Sequence, residues 1–130
     1  MRRPAAVLIL VVSSLIAVPA IAGPYEDATK AYGRGDYKTA IRLIKPLAEQ
    51  GNAKSQYNLG RMYASGQGVP QDYVLSHMWF SLAASRFPAS ERERRDMAIS
   101  NRDTAASKMT PAQVAEARKL AQEWKPKKER

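Results

Sequence analysis

The feature that most restricts this chain is an internal repeat. Asp36-Tyr37-x-x-Ala40 returns as Asp72-Tyr73-x-x-Ser76, an offset of 36 residues. At the same offset Leu43-Ile44 falls on Trp79-Phe80, and Leu47-Ala48 falls on Ala83-Ala84. A repeat of this length that alternates two helices is the sequence mark of an α-solenoid. The expected fold class is therefore all-α, with five or six antiparallel helices in a short right-handed solenoid.

Local signals support helices in each half. Tyr37, Ala40, Ile41, Ile44 and Leu47 recur at three- and four-residue steps and make an apolar stripe. Asp36 is placed to cap its start and Gly51 to end it in a left-handed turn. Pro46 should kink the last turn or end the helix early. A second helix is expected over 53–64. There Gly60 in mid-helix costs about 1 kcal/mol relative to Ala, a cost best explained by close approach of a neighbouring helix. Ser65-Gly66-Gln67-Gly68-Val69-Pro70 reads as a turn. A helix over 71–85 follows, with Asp72 in its first turn and Tyr73, Ser76, Trp79, Phe80, Ala83 and Ala84 on its buried face. A charged helix is expected over 89–109. Thr110-Pro111-Ala112-Gln113 is a capping box that opens a last helix, with Val114, Ala117, Leu120, Ala121 and Trp124 on one side. Lys125 to Arg130 reads as a disordered basic tail.

Leu59, Gly60, Tyr63, Gly66, Gly68, Val69, Asp72, Ser76, Trp79, Ala83 and Ala84 together resemble the Sel-one-like repeat (SLR) family, relatives of tetratricopeptide repeats. The resemblance covers one full repeat, about 52–87, and a shorter preceding one, about 25–51. The segment 88–124 is similar to a C-terminal closing module of small exported members. The resemblance implies antiparallel helix pairs of tetratricopeptide/SLR type with a C-terminal capping helix pair. It also implies protein binding, in some members with cell-envelope or secretion machinery. Two departures stand out. Ser76 replaces the usual Ala, and Ser85-Arg86-Phe87-Pro88 replaces the usual Gly after the Ala-Ala pair.

Residues 1–22 read as a signal peptide of bacterial type. Arg2 and Arg3 precede an apolar stretch over 5–18, Pro19 breaks it, and Ala20-Ile21-Ala22 is a small-x-small cleavage pattern. The stretch is shorter than the ~20 apolar residues that a membrane span needs. Cleavage after Ala22 would leave a periplasmic or secreted chain with no stable span. The chain has no cysteine. Disulfides, thiolate metal sites, a cysteine nucleophile and a lipoprotein anchor are thereby excluded. Cleavage would lower the net charge from +9 to +7 by removing Arg2 and Arg3.

The catalytic inventory is thin. His77 is the only histidine, and its neighbours Met78, Trp79 and Phe80 are apolar. A packed histidine is the better reading, because a base needs an oriented partner and a nucleophile nearby. Gly66-x-Gly68 belongs to a helix–helix turn rather than a phosphate cradle. Glu26-Asp27 and Glu91/Glu93 read as solvated partners of helix dipoles. No metal or other cofactor is expected. Nucleic acid is not expected either, since no recognition motif accompanies the basic charge.

Tyr57, Asn58 and Arg61 lie off the Leu59/Tyr63 line. They are the candidate protein-binding residues of a concave face, the alternative being a merely solvated helix face. The expected function is that of a non-enzymatic exported adaptor holding a protein or peptide partner in that groove. A second class is an envelope-surface binder whose basic face and tail meet anionic lipid or glycan. A third, a small hydrolase, would have to rest on His77.

Overall fold

The computed structural model describes Pro4 and residues 23–128. The expected signal peptide and its cleavage site thus fall outside the described residues, apart from Pro4. Six α-helices follow in order: α1 (Pro24–Gly33), α2 (Tyr37–Glu49), α3 (Ala53–Ser65), α4 (Tyr73–Arg86), α5 (Arg92–Ala106) and α6 (Pro111–Glu123). A 3-10 turn, Ala89–Glu91, leads into α5. No strand occurs among the described residues. The chain is all-α.

Short polar side chains set the helix starts. Asp36 accepts the Thr39 N–H at 3.3 Å, Asn52 that of Ser55 at 2.9 Å, and Asp72 that of Leu75 at 3.0 Å. Thr110 and Gln113 exchange side-chain and backbone bonds in a reciprocal capping box. Each such cap contributes about 1 kcal/mol by satisfying donors that no helical carbonyl can reach. Asp72 differs from expectation. It is the cap before α4 rather than a residue inside its first turn, and its backbone is extended. Its carboxylate can reach the Leu75 N–H only from outside the helix, so α4 starts at Tyr73 and Pro70 stays in the turn.

Pro46 does not end α2 early, since the helix continues to Glu49. Proline removes one donor to the carbonyl four residues back. Here both Pro46 and Arg42 are exposed, so water can serve that carbonyl. The charged helix begins as a 3-10 turn, and its α-helical part runs only from Arg92 to Ala106.

Consecutive helices from α1 to α5 pack against one another, and α6 docks on α4. The repeat shows in the packing, because Ala40 and Ser76 are both buried, as are Ile44 and Phe80. Half of the sixteen hydrophobic residues buried among the described ones are alanine. Such small side chains let helices approach closely, and Gly60 takes this furthest. A Cβ there would lie 2.9 Å from the Phe80 ring. Ser76 donates its hydroxyl to the Gly60 carbonyl at 2.8 Å. The serine that departs from the family pattern is thus a buried link between α3 and α4.

α4 is buried nearly all round. His77, Met78 and Leu82 join Ser76, Trp79, Phe80 and Ala83 in the interior, whereas Tyr73 and Ala84 are only half-buried. The reason is position, since α3, α5 and α6 all pack on it. A second, smaller core joins Ala83, Phe87 and Ala98, with Tyr57 against it. At the C-terminus the Trp124 ring meets Trp79 edge-on at 6.2 Å, and the Arg86 guanidinium lies 4.8 Å from the Trp124 ring centre. Beyond it Lys127 donates its N–H to the Glu49 carbonyl at 2.8 Å and pairs with the Glu49 carboxylate at 3.1 Å.

Candidate functional site

The first helix of each successive unit, α1, α3 and α5, borders a row of hollows. One of about 190 Å³ lies between α1, α2 and α3 and is walled by Tyr25, Tyr32, Ile44 and Met62, with Asn58 and Arg61 at its edge. The next, about 260 Å³, shares Tyr25 and Asn58 with it and reaches Tyr57, Phe87, Arg94 and Met97. A third, about 270 Å³, shares Arg61 with the first and runs to Tyr73, Asn101 and Lys108. The shared residues make the three hollows one groove centred on α3.

The structure brings Tyr57, Asn58 and Arg61 to this groove but gives them different tasks. Asn58 donates its amide to the Tyr25 hydroxyl at 3.1 Å, tying α3 to α1. Asn101 donates to the Tyr57 hydroxyl at 2.9 Å, tying α5 to α3. Tyr57 also packs on Phe80, with ring centroids 5.6 Å apart. Tyr57 and Asn58 are half-buried, and their polar ends hold neighbouring helices in place. Arg61 is exposed and lies with its guanidinium 6.0 Å from the Tyr57 ring centre. Of the three, Arg61 offers the most uncommitted contact surface.

Sequence reasoning missed Tyr25, Arg94, Met97 and Asn101 as groove residues. A period of three or four residues says which face of a helix is apolar. It does not say which polar residue on a later helix comes opposite. Met97 carried a usable signal, as a large apolar side chain within a charged helix, and it stands 52% exposed.

His77 is away from this groove. It is buried, and its Nδ1 has no hydrogen-bond partner. Burial holds its imidazole below the ordinary range, Arg102 and Arg118 push the same way, and Asp103 opposes them. Among the described residues no group of three or more His, Asp or Glu side chains is arranged to hold a metal ion. Among them, too, no helix is long and apolar enough to cross a membrane.

Helix hairpins stacked in series, with one helix of each unit bordering a continuous groove, define a helical-repeat protein. The repeats are Sel1 repeats, matched at residues 25–52 and 53–86, and the chain is a Sel1-like repeat protein. Sel1 repeats are generally protein–protein interaction modules and are typically non-enzymatic. No curated protein and no solved structure matches the chain.

Proposed function

We propose that this chain is an exported, non-enzymatic adaptor that seats a protein or peptide in the groove along α3. The observation that carries this reading is the continuity of the three hollows through Tyr25, Asn58 and Arg61. Side chains bonded across helices give the groove a fixed shape, so a partner meets a preorganised surface. Aromatic residues and arginine, which are frequent interface anchors, line it. The Sel1 repeats support the same reading. Export is supported by Arg2-Arg3, the apolar stretch and Ala20-Ile21-Ala22. Cleavage after Ala22 would leave α1, which begins at Pro24, intact. The resulting location is the periplasm or the exterior.

Site-specific photo-crosslinking in the host tests the proposal. A photoreactive side chain at position 61 should yield a discrete protein adduct. One at Gln122, on the exposed side of α6, should yield none. Adducts from Gln122 but not from position 61 would overturn the groove. Arg61→Glu is a better binding variant than Tyr57→Ala, because Tyr57 also holds α5 and Phe80.

A further inference from the structure

The groove has one kind of charge. Lys54 and Arg94 border its second hollow, and Arg61 and Lys108 border its third. Eleven side-chain carboxylates lie among the described residues. None of them lines any of the three hollows. The carboxylates Asp96 and Asp103 of α5 border a fourth hollow, which meets the third at Thr104. Arg94 approaches Glu91 at 3.8 Å, while Lys54, Arg61 and Lys108 form no ion pair among the described residues. The Tyr25 and Tyr57 hydroxyls already accept an amide hydrogen each. A hydroxyl that accepts still has its own hydrogen to donate. The groove therefore offers hydrogen-bond donors and positive charge beside aromatic walls.

We infer that the groove takes an acidic protein segment, one whose carboxylates alternate with apolar side chains. This rests on the groove reading above and adds the chemistry of the partner. Carboxylates would meet Lys54, Arg61 and Lys108 along the rim. The apolar side chains would enter the hollow between Tyr57, Phe87 and Met97. A membrane headgroup could satisfy the charge, but it would leave those recessed apolar walls unfilled. A segment carrying both kinds of side chain satisfies both.

The test uses the mature chain and two dye-labelled synthetic peptides followed by fluorescence anisotropy. One alternates glutamate with leucine, and the other has lysine in place of each glutamate. The glutamate peptide should bind saturably and more weakly as salt rises, since exposed charges are screened. Lys54→Glu with Arg61→Glu and Lys108→Glu should weaken it by about tenfold or more, from three rim contacts turned repulsive. Lys119→Glu with Lys125→Glu and Lys128→Glu makes the same change in net charge away from the groove and should leave binding within about twofold. Circular dichroism checks that both variants fold, and Arg61→Gln alone provides a milder second variant. Equal binding of the lysine peptide, or equal loss in both triple variants, overturns the inference. So does binding to phosphatidylglycerol vesicles without binding to the glutamate peptide. If position 61 crosslinks a host protein while the glutamate peptide fails to bind, the acidic specificity falls and the groove stands.

Discussion

Replacing Gly68 by alanine should be among the most damaging single changes on the surface of this protein. Gly68 has φ +75°, in the left-handed region. An L-residue there costs roughly 1–2 kcal/mol. Loss of glycine's freedom in the unfolded chain returns about 0.4–1 kcal/mol. The dihedral alone therefore leaves a net cost of about 1 kcal/mol. The larger cost is steric. A Cβ at Gly68 would lie 2.6 Å from the Tyr37 carbonyl oxygen and 2.9 Å from Ile41 Cγ1. The carbonyl belongs to the first turn of α2 and cannot swing aside as a side-chain tip could. Overpacking of this kind costs about 1–3 kcal/mol. The total is about 2–4 kcal/mol. At about 4–8 °C per kcal/mol, the midpoint should fall by roughly 8–32 °C in thermal unfolding followed by circular dichroism. Gly35 supplies the control. It has the same φ of +75°, yet a Cβ there would meet nothing within 4 Å. Gly35→Ala should cost only the dihedral part, about 1 kcal/mol. Asparagine tolerates the left-handed region, so Gly35→Asn should recover part of the loss and Gly68→Asn should not. If Gly68→Ala costs no more than Gly35→Ala, the turn does not pack on α2 and the reasoning is refuted.

Two further predictions concern the interior and the C-terminus. His77 is held below its ordinary range in the folded chain, so between its folded pKa and about 6.5 the unfolded state binds more protons. Its contribution is complete above that range and is lost as pH falls through it. Urea midpoints should decline on acidification below about pH 6.5, and His77→Gln should flatten that decline; an unchanged slope would refute the assignment. Trp124→Ala removes the edge contact with Trp79 and the ring beside Arg86, worth about 1–2.5 kcal/mol together before area burial is added. Deleting 125–130 removes the Lys127–Glu49 ion pair and the Lys127 N–H bond to the Glu49 carbonyl, and should cost at most about 2 kcal/mol. Parallel unfolding of both variants checks the order, and a greater loss from the deletion would contradict it.

Much of the secondary structure was legible in the sequence because its determinants are local. The caps at Asp36, Thr110 and Gln113 act over three residues, and the stripe through Ala40 and Ile44 follows from helical period. The misreadings were also local, and each came from applying a correct rule one step too far. An acidic side chain suits the first turn of a helix, so the pattern puts Asp72 inside α4, although its carboxylate caps from outside. Proline often ends helices, yet Pro46 sits at an exposed position where the carbonyl it leaves unpaired meets water.

The candidate site was only half legible. Residue type and helix face singled out Tyr57, Asn58 and Arg61 as a group. Nothing in the pattern showed that Asn58 bonds Tyr25 or that Asn101 bonds Tyr57, because those pairs are 33 and 44 residues apart. Their meeting depends on how α1, α3 and α5 align, which one-dimensional periodicity does not encode.

By itself the sequence determined an all-α repeat, its approximate helix boundaries, and a chain that must fold without disulfides. It also fixed Gly60 as a place of close approach, because a helical glycine is costly without one. The tertiary structure decided that α4 would be the central helix, with α5 and α6 both docked on it. It also decided that the groove would carry cations and no carboxylate. Both outcomes come from the packing of whole helices, where the burial of one face settles which charges remain together on another.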